Sequence, residues 1–142
     1  MQIALIQMPV TADKQENLRT ARRCLEEAAA HNVDLAVLPE MFCCPYENAC
    51  FRTYGEPEGG PAQETLRKAA AELGIYVVGG SLPELEEHRV YNTSYVFGPD
   101  GTQLAKHRKV HLFDIDVAGG QSFRESDTLS PGNAITCLLY TS

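Results

Sequence analysis

Asp34-Leu35-Ala36-Val37-Leu38-Pro39-Glu40 reads as a short apolar strand stopped by a proline and followed at once by a carboxylate. Upstream, Met1 to Met8 (MQIALIQM) has the same character. Ile3, Ala4, Leu5 and Ile6 run together there, and Pro9 closes the run. Between the two strands, Leu18, Ala21, Leu25, Ala28 and Ala29 recur at helical spacing, with Arg19, Arg22, Arg23, Glu26 and Glu27 on the other face. Asp13, with Glu16 three residues later, is close to a capping box and marks the start of this helix. Its end is expected near His31-Asn32. A strand–helix–strand order implies a right-handed parallel crossover, so the fold class is α/β.

Downstream, Cys43 to Gly60 shows no clean period and reads as a long loop, a class of segment that is commonly functional. Pro61 opens a second helix, with Leu66, Ala69, Ala70 and Leu73 inward and Gly74 as its stop. Ile75–Ser81, Val90–Phe97 and Thr102–His107 read as three further strands. Pro99-Asp100-Gly101 is the turn between the last two. Asp116 to Pro131 reads as loop.

Composition narrows the function. The chain has 142 residues, enough for one domain, and 12 Lys+Arg against 19 Asp+Glu give a net charge of −7. That balance argues against nucleic-acid binding, which needs a basic face, and against docking on an anionic membrane. No apolar run approaches the ~20 residues of a membrane span. The N-terminus lacks a basic segment followed by a long apolar one, so the expected compartment is the cytoplasm. The five cysteines (Cys24, Cys43, Cys44, Cys50 and Cys137) are odd in number. Without an export signal they read as reduced thiols rather than a disulfide framework. Cys43, Cys44 and Cys50 lack C-x₂-C spacing and have only His31 nearby, so no metal is expected.

Strand direction points to a site. The Leu35 and Ile75 strands are joined by a helix and should run parallel. The Val90 strand follows too closely for a crossover and should reverse, and the Thr102 strand should reverse again. Glu40 and Lys109 would then emerge past the ends of strands that point the same way, at the rim where open α/β sheets bind ligands. Taken singly, each residue has an ordinary reading. Glu40 and Glu125 are loop carboxylates, Lys109 is a charged strand end, and Tyr46 is a loop aromatic packed on the core.

Together the motifs carry more. Leu38-Pro39-Glu40-Met41-Phe42 and His107-Arg108-Lys109-Val110-His111-Leu112-Phe113-Asp114-Ile115-Asp116 resemble segments of the nitrilase, or carbon–nitrogen hydrolase, superfamily. Ile3 to Gln7, Gly79-Gly80-Ser81, Tyr91-Asn92-Thr93 and Phe97 to Gly101 follow in the same family order. The spelling of Cys44-Pro45-Tyr46, Lys109 to Asp116 and Thr128 to Gly132 is similar to the omega-amidase branch. The resemblance implies a partial α-β-β-α sandwich with a mixed sheet. Residues 1–142 would be the N-terminal part of a single domain, with a tail from about Cys137 that stops matching.

The resemblance also implies chemistry. Glu40 corresponds to the general base, Lys109 to the catalytic lysine, Glu125 to a supporting glutamate, and Tyr46 to a substrate contact. The family's nucleophile is a cysteine in a Gly-Ile-Cys-Tyr-Asp-like segment, which this sequence lacks; Cys137 precedes the expected position and lacks those neighbours. The implied reaction releases ammonia from a small dicarboxylate monoamide such as 2-oxoglutaramate or succinamate, without a cofactor. Another amidase, a carbamoylase, a nitrilase proper, or a non-catalytic fragment remain alternatives. Homodimers are expected of the complete protein. Leu5, Val37 and Val78 are expected to face a layer that the chain does not contain, and the chain alone is expected to be inactive and prone to self-association.

Overall fold

The Asp13 carboxylate accepts a hydrogen bond from the Glu16 N–H at 3.1 Å and starts α1 (Lys14–Ala30) in a computed structural model that describes residues 1–137. Only half of the capping box forms, because the Glu16 carboxylate turns to Arg19 instead of reaching back to Asp13. Leu18, Ala21, Leu25 and Ala28 are buried along one stripe, and His31 caps the end. A second helix, α2 (Asn48–Tyr54), lies inside the stretch read as a loop. It has seven residues and buries only Phe51, so no period could reveal it. Pro61 sits in the first turn of α3 (Pro61–Leu73), and Gly74 ends that helix in the left-handed conformation, donating its N–H to the Ala70 carbonyl.

The main sheet has six strands. β1 (Ile3–Leu5) pairs parallel with β2 (Leu35–Val37), and β2 pairs parallel with β3 (Tyr76–Val78). β4 (Leu82–Glu86) and β6 (Gln103–Arg108) both pair antiparallel with β5 (Arg89–Phe97), as does β3. β2 and β6 therefore run the same way, as strand counting predicts. β4 lies within the stretch between Ser81 and Val90 to which the sequence assigns no element, and it continues β3 along one side of β5. Between the pairs Val78↔Val96 and Leu82↔Thr93 the β3–β4 side carries one extra residue, a bulge at Gly79-Gly80-Ser81. A hairpin of β7 (Asp114–Asp116) and β8 (Ser122–Arg124), followed by a 3₁₀ turn at Glu125–Asp127, begins just before and runs into the downstream segment read as loop. Its strands are three residues each, too short to show an alternation.

The two faces of the sheet differ. Ala36 and Val77 are fully buried, and α3 packs against β3 and β5 while α1 packs on α3. Strand register places Leu5, Val37 and Val78 side by side on the opposite face. Leu5 is 79% exposed there, and Val37 and Val78 are half-buried. Among the described residues no helix is long and apolar enough to cross a membrane.

Gly80 makes the bulge possible. Its φ is +52°, and a methyl group there would collide with the Pro39 and Leu38 carbonyls. Gly80→Ala is expected to cost about 3 kcal/mol or more in urea unfolding, from strain and clash together. Gly59 also has positive φ (+82°), but a methyl group added there would meet nothing within 4 Å, so Gly59→Ala should cost only about 1 kcal/mol. Equal losses at the two positions would show that the close approach to Pro39 does not matter.

Candidate active site

Three backbone bonds and one hydroxyl hold the turn that presents Glu40. The Ser81 N–H donates to the Pro39 carbonyl at 3.3 Å, and the Phe42 N–H donates to the Ser81 carbonyl at 3.2 Å. Leu38 N–H reaches the Val78 carbonyl at 3.0 Å, and the Met41 N–H donates to Ser81 Oγ at 3.0 Å. Met41 adopts φ +51°, an unusual value for a side-chain-bearing residue, and is buried there. Lys109 follows the last residue of β6 directly, and its N–H donates to the Asn92 carbonyl on β5 at 2.8 Å. Glu125 stands at the start of the 3₁₀ turn, its own N–H donating to the Phe113 carbonyl at 3.1 Å.

These segments bring the three predicted residues together. The Lys109 ammonium lies 2.9 Å from Glu40 Oε1 and 3.0 Å from Glu125 Oε2. Glu125 is fully buried, and both of its oxygens are occupied. Oε1 accepts from the Tyr46 hydroxyl at 2.5 Å and from Lys109 at 3.2 Å, and Oε2 accepts the Phe113 N–H at 2.6 Å. The Glu40 side chain is 49% exposed. Its Oε1 accepts from Lys109 and from the Asn92 side-chain amide at 2.7 Å, while Oε2 accepts from no described residue.

The electrostatics follow from these partners. Burial pushes the Glu125 carboxyl upward, but the Phe113 N–H, the Tyr46 hydroxyl and Lys109 outweigh it and hold it below the usual carboxylate range. Burial lowers Lys109, and the hydrogen bonds it donates to Glu40 and Glu125 more than reverse this, leaving it above the usual lysine range. Tyr46 is raised, first by burial and then by its bond to Glu125, so it stays protonated as the donor.

Asn92 is the residue that sequence reasoning did not single out. It is 3% exposed, and it serves both partners, its carbonyl fixing the Lys109 backbone and its amide fixing the Glu40 carboxylate. The available signal was an asparagine inside the strand segment Val90–Phe97, where that residue type is depleted. Tyr46 falls outside the lining of the adjacent cleft. Its hydroxyl serves Glu125, and its ring packs on Phe51 and Phe123 at 5.5 Å each.

The cleft has a volume of about 650 Å³, and its lining includes Glu40, Asn92, Lys109, His111, Val37 and Val78. No described cysteine lines it. Cys43 and Cys44 are buried, and burial pushes each thiol up to about 12, far from a reactive thiolate. Cys24 and Cys50 are half-buried on α1 and α2, and Cys137 is exposed. Among the described residues no three His, Cys, Asp or Glu side chains cluster as metal ligands would. The residues beyond Cys137, read from the sequence as a tail that stops resembling the family, lie outside the described residues.

Residues 2–140 match the sequence family described as carbon-nitrogen hydrolase. This chain belongs to that family. It is 48% identical over 134 residues to omega-amidase NIT2 of Xenopus tropicalis, an alignment covering 94% of this chain and 49% of that protein. The carbon-nitrogen hydrolase fold is equally plain in the structure. Nit3 of Saccharomyces cerevisiae, a member of branch 10 of the nitrilase superfamily, superposes with a TM-score of 0.81 at 38% identity, covering 94% of this chain and 49% of that one. An amidase from Nesterenkonia sp. AN1, solved with acrylamide added at its active-site cysteine, superposes at 0.82 with 26% identity, covering 99% of this chain and 53% of that one. The chain spans about half the length of the curated relatives it matches.

The buried carboxylate gives a pH-dependent expectation. A carboxyl held below its unfolded value stabilises the fold above that value, about 4.3 for glutamate, and the contribution fades as pH falls through the native value. Glu125→Gln should therefore lose about 2 kcal/mol at pH 7, and the gap from the parent chain should narrow below about pH 4. Chemical denaturation across pH 3–8 measures this. A gap that stays constant to pH 3 would mean that the fold does not hold the Glu125 carboxyl below its unfolded value.

Proposed function

We propose that this chain is the N-terminal half of an omega-amidase-type carbon–nitrogen hydrolase, with Glu40, Lys109 and Glu125 as its share of the catalytic machinery. The observation that carries the reading is the Lys109 ammonium held between two carboxylates of unequal freedom at the edge of an open cleft. Similarity to omega-amidases supports the branch, and the resemblance read from Lys109 to Asp116 supports small dicarboxylate monoamides as substrates.

An amide is a poor electrophile with a poor leaving group, so covalent catalysis through a thiolate divides one hard step into two. In the proposed cycle the cysteine comes from the Gly-Ile-Cys-Tyr-Asp-like segment that this sequence lacks. Glu40, whose Oε2 accepts from no described residue, takes the thiol proton as the sulfur attacks the amide carbon. The carbonyl π electrons move to oxygen, and the fixed Lys109 ammonium stabilises that negative charge. The oxyanion collapses, the carbon–nitrogen bond breaks, and Glu40 passes its proton to the departing ammonia. The same carboxylate then takes a proton from water, which attacks the thioester and frees acid and thiol. Glu125 keeps Lys109 charged and in place, and Tyr46 orients Glu125. No cofactor takes part. The family resemblance supports a cytoplasmic homodimer for the complete protein.

A second reading, a non-catalytic module, is favoured by one observation: the cleft has no thiol among the described residues. Ammonia release from succinamate and 2-oxoglutaramate separates the two. The 142-residue chain should show none. A longer product that carries the cysteine segment should be active, and Glu40→Gln or Lys109→Met in it should lower kcat by about 10³-fold or more. A longer product inert on both amides, yet folded, would support the non-catalytic module. Activity of the 142-residue chain that survives alkylation of its cysteines would overturn the thiolate mechanism.

A further inference from the structure

On the face of the sheet opposite the cleft lies a second charged cluster, centred on a carboxylate the proposed reaction does not use. Glu84 on β4 is 1% exposed. Its Oε2 accepts the Thr93 hydroxyl at 2.7 Å and Arg108 Nε at 2.9 Å. Its Oε1 accepts Arg108 Nη2 at 2.8 Å and Lys106 Nζ at 2.5 Å. Arg108 is thus gripped bidentately. Its outer edge is gripped again by Glu86 at 2.8 and 2.9 Å, and its guanidinium lies 3.9 Å from the Tyr91 ring centre. Lys106 has a second partner in Glu58 at 2.8 Å.

Strand alternation links this cluster to the site. Lys106 and Arg108 point to the Glu84 side of β6, while His107 and Lys109 point into the cleft. A slip of β6 by one residue would send Lys109 to the wrong face. A lesser rotation of its end would still move the ammonium off Glu40 and Glu125. The backbone bond from Lys109 N–H to Asn92 is the last rung of that ladder, directly beyond the Thr93↔Arg108 pair.

We propose that Glu84 is a positioning residue for Lys109, acting through the Arg108 fork to fix the end of β6 so that the ammonium meets Glu40 and Glu125. The inference rests on Lys109 being a site residue, but what it asserts is geometry. It holds or fails whether or not an amide is the substrate.

The test uses charge-conserving variants of the 142-residue chain, so that lost charge cannot mimic lost position. Arg108→Lys removes the fork, since an ammonium cannot make the paired bonds of a guanidinium. Glu84→Asp shortens the reach by one methylene. The readout is the rate of acetylation of individual lysines by the N-hydroxysuccinimide ester of acetic acid at pH 8, resolved by mass spectrometry. A lysine locked between carboxylates is held in its unreactive charged form, and its rate rises in proportion to the free amine that loosening releases. Besides Glu40 and Glu125, His107 and His111 face the same cleft, and neither variant touches them. Lys68, exposed on α3, sets the fast limit. Lys14, paired with Glu56 at 2.5 Å and bonded to the Tyr54 carbonyl at 2.6 Å, reports on general loosening elsewhere.

The expected result is a roughly threefold to tenfold rise at Lys109 in both variants, with Lys14 unchanged. An unchanged Lys109 rate in either variant overturns the proposal. So does a matched rise at Lys14 and Lys109, which is what a merely structural role for Glu84 produces.

Discussion

Two carboxylates converge on one ammonium, and the rest of the structure serves that convergence. Like charges brought together in a partly buried site repel, so two carboxylates there call for a cation between them. Lys109 removes the conflict by standing within 3.0 Å of each. The three residues come from chain segments 69 and 16 positions apart, so the geometry has to be built by tertiary structure. Asn92 supplies the common reference point, holding the backbone of one partner and the side chain of the other.

One sheet therefore carries two kinds of burial. Its helix-covered face is apolar around Ala36 and Val77 and ionic around Glu84, where a buried carboxylate meets three donor side chains. Such a carboxylate would be costly if unpaired; with its partners present it links β4 to β6 across β5. The other face carries the site together with Leu5, which is exposed, and Val37 and Val78, which the described residues only half cover. Exposed apolar area beside a charged site is the signature of a surface that another layer is meant to close. The α-β-β-α architecture implied by the family supplies such a layer.

The sequence made some of this legible and hid the rest for physical reasons. α1 and α3 were readable because an apolar stripe, a cap at Asp13, a first-turn proline and Gly74 all agree over 13 or more residues. The shared rim of Glu40 and Lys109 followed from strand direction alone, since the unrecognised β4 only extends the β3 side of β5 and reverses nothing between β2 and β6. α2, β7 and β8 escaped because elements of three to seven residues carry no measurable period. The approach of Glu125 could not have come from spacing. It depends on a hairpin whose two strands bury little and on a carboxylate that pairs back to Phe113 across it. Asn92 was visible within the Tyr91-Asn92-Thr93 motif and as a polar residue in a strand centre, but its role required the two partners to be seen.

The unequal treatment of the two glutamates is what separates their proposed parts. A carboxylate meant to hold a cation should be saturated, buried and held below the usual carboxylate range. Glu125 meets each condition, with donors on both oxygens and an acidity strengthened by three partners. A carboxylate meant to carry protons between sulfur, nitrogen and water needs an oxygen left free and a path to the reacting atoms. Glu40 has its Oε1 tethered by Lys109 and Asn92, while its Oε2 accepts from no described residue, and the residue lines the cleft. The tether sets where that free oxygen can be, which is the entropic part of general-base catalysis. Were the two environments exchanged, the buried carboxylate would face no substrate and the exposed one could not keep Lys109 in register. The proposed assignment of base to Glu40 and support to Glu125 is thus supported by which oxygens already accept from described residues.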